Sequence, residues 1–271
     1  MRLTDIPARD ARPLIAEVHA GLLTLLASLR DDQWAARTEA GRWTVKDVAL
    51  HLLNGDLVQL SVGRDGDLSW LLDTGMGRRE FVAALDAQNQ QWVDAARGLS
   101  PRVLTGLLRW TGEQVGQYYA TVDLHGQASV SWAGDHPVPR WLDLAREMTE
   151  RWVHQQHIRD AVGQPGDHGR FLPAVLAAFV WAFPYQYRPE AAVGTTVQLD
   201  FGDGGRWRLT RAAGGWELDE GPAEAPAAAL RIPPQLAWRQ LTGLPVQAGE
   251  YTTEGDERLA APLLAVRGII V

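Results

Sequence analysis

The chain has no cysteine among its 271 residues, and that absence removes more chemistry than any other feature of its composition. Disulfides, thiolate metal ligands and a cysteine nucleophile are all excluded. Any thiol chemistry needs a sulfur brought in by a small molecule. Positive charge is also short: 26 Lys and Arg stand against 33 Asp and Glu, a formal net charge of −7. With no basic run to offset it, that balance argues against nucleic acid or an acidic membrane surface as partner. No window of about 20 apolar residues is present, so no segment is expected to span a bilayer. The opening Met1-Arg2-Leu3-Thr4-Asp5-Ile6-Pro7 lacks the apolar core of a secretory signal, and the expected location is the cytoplasm.

What the chain does have is a composition able to bury a sizeable core, 46% hydrophobic and 22% charged, over a length that suits two ordinary domains. Twelve tryptophans read chiefly as large core fillers with one polar handle each, although some could line a pocket.

Hydrophobic spacing predicts helices through most of the first 190 residues. In 11–30 the residues Leu14, Val18, Leu22, Leu25, Leu26 and Leu29 form one stripe. Thr44 followed by Asp47 forms a capping box that opens a helix over about 45–60. Further helices are expected over 79–97, 102–120, 140–162 and 172–183, with a loop at 124–139 and a stop at Gly163-Gln164-Pro165-Gly166. After about 193 the pattern changes to period two. Thr196–Phe201, Trp207–Thr210 and Trp216–Leu218, separated by glycine turns, predict a β-meander. A strand over 228–232, helices over 234–241 and 257–266 and a short strand at 251–253 complete a small α+β module. The expected organisation is therefore two domains, 1–190 and 191–271, of overall α+β class.

Glu150 and His154 lie four residues apart on the helix expected over 140–162. Residues i and i+4 stand one above the other, so both side chains can grip one cation. His51, on the helix opened by Thr44, would make a third ligand. Two histidines and a glutamate with a fourth position open are a catalytic zinc set rather than a structural one. On spacing alone a Glu-x-x-x-His pair is most often a surface contact. The helical wheel leaves that open: Trp141, Leu144, Met148 and Trp152 make an apolar face, while Glu150, His154, His157 and Ala161 fall opposite, as a solvated face would. Asp47, one turn before His51, either orients its imidazole or caps the helix. His157 is a possible fourth ligand or outer-shell partner. His19, His125, His136 and His168 have no comparable spacing and read as ordinary surface or loop residues.

The segment Trp43-Thr44-Val45-Lys46-Asp47-Val48-Ala49-Leu50-His51-Leu52 resembles the first metal motif of the DinB-like superfamily, in the branch of mycothiol-dependent maleylpyruvate isomerases. Glu150-Arg151-Trp152-Val153-His154-Gln155-Gln156-His157-Ile158-Arg159-Asp160-Ala161-Val162-Gly163 resembles the second. The resemblance implies an up-and-down four-helix bundle that binds a divalent metal, joined to a C-terminal domain similar to sterol carrier proteins. It implies that His51, Glu150 and His154 hold the metal, zinc first and nickel next. The family commonly has Asp three residues beyond the second histidine, where this chain has His157.

The implied chemistry is an open metal position that takes a low-molecular-weight thiol, of mycothiol or bacillithiol type, and holds it as thiolate for attack on an electrophile. Cis–trans isomerisation and S-transfer both fit. Arg239 and Arg258 are the candidates to bind a substrate carboxylate. Two other classes stand beside this reading: a hydrolase using metal-activated water, and a non-enzymatic binder of small ligands whose metal only staples the bundle. The expected partners are a small thiol and its substrate, with the chain a monomer or homodimer.

Overall fold

Nine α-helices and seven strands account for the regular structure in the computed structural model, which describes residues 8–72, 76–134 and 137–268. Contacts group the chain into two units. A helical unit holds Ala11–Asp123 and Glu150–Asp167; a mixed unit holds the described parts of Met1–Asp10, Leu124–Thr149 and His168–Val271. This grouping differs from a single cut near 190, because residues between 168 and 190 pack with the sheet rather than with the bundle.

The helical unit contains α1 (Arg12–Ala27), α2 (Val45–Val58), α3 (Arg78–Ala96), α4 (Pro101–Thr121) and the C-terminal part of a long helix that starts in the other unit. Pro101 opens α4 behind the Ser100 cap, where the missing N–H of proline costs nothing. Leu22, Leu25 and Leu26 of α1 enter one core with Val48, Leu52 and Leu53 of α2, Val93 of α3, and Leu104 and Leu108 of α4. In α1 the buried stripe runs through Ile15, while Leu14 is only half-buried. A turn of π-helix, Gln59–Arg64, extends α2 beyond the end expected near 60. Tyr118 packs so closely on Gly63 that a Cβ there would lie 2.8 Å from its hydroxyl.

The mixed unit carries β1 (Gln127–Ala128) and β2 (Val138–Pro139), a small antiparallel pair inside the expected loop. There follow α5 (Arg140–Val162), which continues into the helical unit, then α6 (Phe171–Phe179) and α7 (Ala182–Gln186). The sheet uses β3 (Thr196–Asp200), β4 (Arg206–Ala212), β5 (Gly215–Glu220), β6 (Ala228–Arg231) and β7 (Thr252–Gly255), in the order β5-β4-β3-β6-β7. The expected meander is β3-β4-β5, and β6 joins β3 in parallel. Helices α8 (Pro234–Leu241) and α9 (Glu257–Ala260) complete the unit. The helix expected over 257–266 stops early and tightens to a 3₁₀ turn at Ala261–Ala265, which Pro262 enters. Phe179 of α6 packs on Gly268, and Trp216 of β5 donates its indole N–H to the Pro189 carbonyl. The α+β class read from the sequence is the class of the structure. No helix among the described residues is long and apolar enough to cross a membrane.

A buried polar network crosses the helical unit. Asp56 of α2 is fully buried and accepts from the Arg151 guanidinium at 2.5 Å and from the Thr111 hydroxyl at 2.7 Å. Arg151 also donates to His19 Nδ1 at 3.0 Å. A guanidinium offers no acceptor, so Nδ1 of His19 accepts and its proton sits on Nε2. Nε2 rests on the α4 backbone, where a Cβ at Gly112 would collide with it. His19 is therefore a network residue and not the ordinary surface residue expected; only a glycine on α4 leaves room for its ring.

Burial and the Arg151 charge push the His19 imidazole down to about 4 from 6.5, against the opposite pull of Asp56 and of a hydrogen bond to the Leu108 backbone. Above pH 6.5 both folded and unfolded chains keep the ring neutral. Between 6.5 and 4 the unfolded chain takes up a proton that the folded chain refuses, so stability falls as pH falls. The full loss is about 3 kcal/mol. His19→Gln keeps an acceptor for Arg151 but cannot titrate. Urea unfolding between pH 4 and 7 should show a flatter stability profile for this variant than for wild type; parallel profiles would refute the assignment.

Candidate metal centre

Helix α2 delivers His51. The Thr44 hydroxyl accepts the Asp47 amide at 3.3 Å, and the Asp47 carboxylate accepts the Thr44 amide at 3.0 Å, a reciprocal cap that fixes where the helix begins. With the start fixed, Val48 and Leu52 turn into the core and His51 emerges half-buried beside them. Helix α5 delivers Glu150 and His154 from the same unit, one turn apart. Glu150 Oε1 lies 2.9 Å from His51 Nε2 and 3.2 Å from His154 Nε2. The three donor atoms all lie within 4.8 Å of one another. The imidazole rings are 4.8 Å apart, edge to face at 70°.

The polar side of α5 is not solvated. His154 is 6% exposed, Gln155, Gln156 and His157 are at or below 1%, and only Glu150 and Ala161 are half-buried, so most of this face is shielded from water. Two of its amides meet backbone partners: Gln155 donates to the Val18 carbonyl, and Gln156 accepts the Asp167 amide. A buried polar face with specific partners is costly to build and uncommon as filler.

Burial alone would raise the Glu150 carboxyl, but hydrogen bonds from His154 and His51 outweigh it and hold the group well below the usual carboxylate range. Burial lowers the His154 imidazole, an effect that its bond to Glu150 opposes and His51 reinforces. The centre thus keeps an ionised carboxylate beside a His154 imidazole biased to neutrality, the protonation states that metal ligation demands of these two residues. Two nitrogens and one oxygen suit zinc, nickel and related divalent ions. Ligand atoms about a tetrahedral zinc stand roughly 3.4 Å apart, given bonds of about 2.1 Å, so the three residues fit such an ion with small side-chain adjustments.

The other residues singled out in the sequence fall in different places. Asp47 does not orient His51: its carboxylate serves the Thr44 cap and accepts from Arg97 at 3.2 Å, while His51 Nδ1 is buried with no hydrogen-bond partner among the described residues. Burial alone would raise the Asp47 carboxyl, yet the Thr44 and Arg97 bonds hold it low. His157 is fully buried, with Nδ1 3.4 Å from His154 Nδ1. Arg239 stacks its guanidinium 5.4 Å from the Trp238 ring on α8, and Arg258 pairs with Asp256 at 2.7 Å while largely exposed. Both belong to the mixed unit. His136 lies outside the described residues.

One contributor went unread in the sequence. The Trp43 ring lies 4.9 Å from His51 and 6.3 Å from His154, forming an aromatic wall of the centre. Its indole N–H donates to Gln90 of α3 at 2.9 Å. The signal that could have found it was its place next to the Thr44 cap, since the residue before a cap commonly packs back on the helix it starts.

A family model described as the mycothiol maleylpyruvate isomerase N-terminal domain matches residues 15–159, more than half of the chain. Two crystal structures share the fold: one of the mycothiol-dependent maleylpyruvate isomerase and one of a histidine-to-alanine mutant of it. Each aligns over 96% of this chain and 98% of its own, with a TM-score of 0.59 and 10% sequence identity. A search of curated proteins gave no match. The matched span contains His51, Glu150 and His154, and the chain belongs to the family of the mycothiol maleylpyruvate isomerase N-terminal domain.

Proposed function

We propose that this protein is a metal- and thiol-dependent enzyme acting on a small electrophile, with cis–trans isomerisation as its first reading and S-transfer as its second. The observation that carries it is the convergence of three donor atoms from two helices into one cluster, one of them on an ionised carboxylate. Family membership directs the choice toward isomerisation. A divalent ion held by His51, Glu150 and His154 supplies a positive charge that keeps an added thiol ionised near neutral pH.

The chain's own residues set the rest. Glu150 offsets one unit of cation charge and aligns both imidazoles through a single oxygen. Trp43 places an apolar face against the two histidines and limits water, which strengthens electrostatic effects at the centre. With no cysteine in the chain, the nucleophilic sulfur comes from a free thiol of mycothiol or bacillithiol type. In isomerisation the thiolate forms a C–S bond to one carbon of an activated cis double bond, and the electron pair moves into the adjoining carbonyl. Rotation about the new single bond and return of the electrons expel the thiolate and leave the trans olefin. No proton or electron is gained or lost overall.

The test is zinc-loaded protein with maleylpyruvate, with and without mycothiol. Conversion to the trans isomer only in the presence of thiol, and with the thiol recovered, is expected. Stoichiometric loss of thiol would shift the reading to transfer. Cleavage of the substrate by water without thiol would identify a hydrolase instead.

A further inference from the structure

His154 offers its two ring nitrogens to different neighbours. Nε2 faces Glu150 and belongs to the donor set, whereas Nδ1 lies 3.4 Å from His157 Nδ1, less than one turn further along α5. The two rings are 5.3 Å apart and nearly perpendicular, at 72°, so a lone pair of one can meet an N–H of the other. A single proton fits between two such nitrogens: two N–H groups would collide, and two lone pairs would repel.

The direction of that bond depends on what Nε2 faces. Opposite the ionised Glu150 carboxylate, which only accepts, His154 Nε2 is the donor and its Nδ1 is bare. Opposite a cation, Nε2 must present a lone pair, and the proton moves to Nδ1. A carboxylate at position 157 could serve only the second arrangement. An imidazole serves both, by donating from Nδ1 in one and accepting there in the other.

We infer that His157 is a positioning residue for the metal centre, whose neutral imidazole accepts the Nδ1 proton of His154 and thereby fixes that ligand's tautomer and ring angle. It acts from behind His154 and is not a fourth ligand, because the lone pairs of Nδ1 and Nε2 diverge across the His154 ring. The donor set so stays at three, with the remaining coordination position open. The inference rests on the proposed metal site and goes beyond it by assigning a role to a residue outside the donor set.

The test compares wild type with His157→Leu and His157→Asn, each titrated with cobalt(II) against a competing chelator while the visible ligand-field spectrum is recorded. Leu fills a similar volume without a polar atom; the Asn amide oxygen stands close to where Nδ1 was. The Leu variant should bind cobalt about 10–100-fold more weakly, the usual cost of losing an outer-shell partner, with an altered spectrum. The Asn variant should recover most of the affinity and the wild-type spectrum. Equal affinity in all three, or an Asn variant as weak as the Leu variant, overturns the inference. If the Leu variant does not fold, nitrogen-15 spectra of histidine-labelled, zinc-loaded wild type decide: His157 protonated on Nε2 upholds the role, and His157 protonated on Nδ1 overturns it. A wild type that takes up no cobalt sinks the metal site itself. Uptake that is lost in Glu150→Gln but unchanged in His157→Leu sinks only the role given to His157.

Discussion

Glu150→Gln should abolish tight metal binding while leaving the protein folded. The amide oxygen of Gln can still accept the bonds that Glu150 Oε1 receives from His51 at 2.9 Å and His154 at 3.2 Å. Buried imidazole N–H groups are thus not stranded, a loss that would cost about 1–3 kcal/mol each. The variant lacks the negative charge that offsets the cation, and an amide is a poor ligand for zinc. Outer-shell changes alone cost about 10–100-fold in affinity, so loss of the only anionic ligand in the set should exceed about 100-fold. Elemental analysis after dialysis should find close to one zinc or nickel per wild-type chain and almost none in Glu150→Gln or His51→Ala. Thermal unfolding without added metal should be nearly the same for wild type and Glu150→Gln. Wild-type occupancy in the Gln variant would remove the basis for both the proposed activity and the role of His157.

Asp56→Ala should cost about 3–5 kcal/mol of stability, the range found when one partner of a buried ion pair is removed. Asp56 is 0% exposed and Arg151 4%, so solvent cannot replace the lost carboxylate. The substitution strips the guanidinium of the Asp56 carboxylate and leaves the Thr111 hydroxyl only its longer bond to the Leu108 carbonyl. An unfolding temperature lower by about 10 °C is the corresponding readout. Asp56→Asn should cost less, since an amide oxygen still accepts from Thr111 or Arg151. Adding Arg151→Met to Asp56→Ala should recover much of the loss, because removing both charges also removes the cost of burying either. If the double variant were no more stable than Asp56→Ala, the uncompensated charge would not be the cause.

The elements of this fold were legible because their signals are local. Helix α2 starts where Thr44 and Asp47 cap one another, and α5 stops at Gly163, whose φ of +70° suits glycine alone at little cost. The glycine pairs that turn β3 into β4 and β4 into β5 are equally short-range. The i,i+4 relation of Glu150 and His154 is fixed by helix geometry as soon as α5 is recognised. The absence of cysteine likewise settles, on composition alone, that any thiol sulfur must come from outside the chain.

Tertiary structure decided what these residues touch. Helix periodicity put Glu150, His154 and His157 on the side away from the tryptophans, but periodicity cannot say whether such a side meets water or protein. Packing in the helical unit buries it. His51 reaches Glu150 across 99 positions of sequence, and no local spacing encodes that approach. Asp47 had two credible roles one turn from His51, and Arg97, from 50 residues away, helped commit its carboxylate to the helix cap. The Asp56–Arg151–His19 network spans 95 and 132 positions and depends on the bare backbone at Gly112. Local sequence sets backbone conformation because the governing forces act within one turn. Which polar groups meet is set by how helices pack, and that is a property of the whole core.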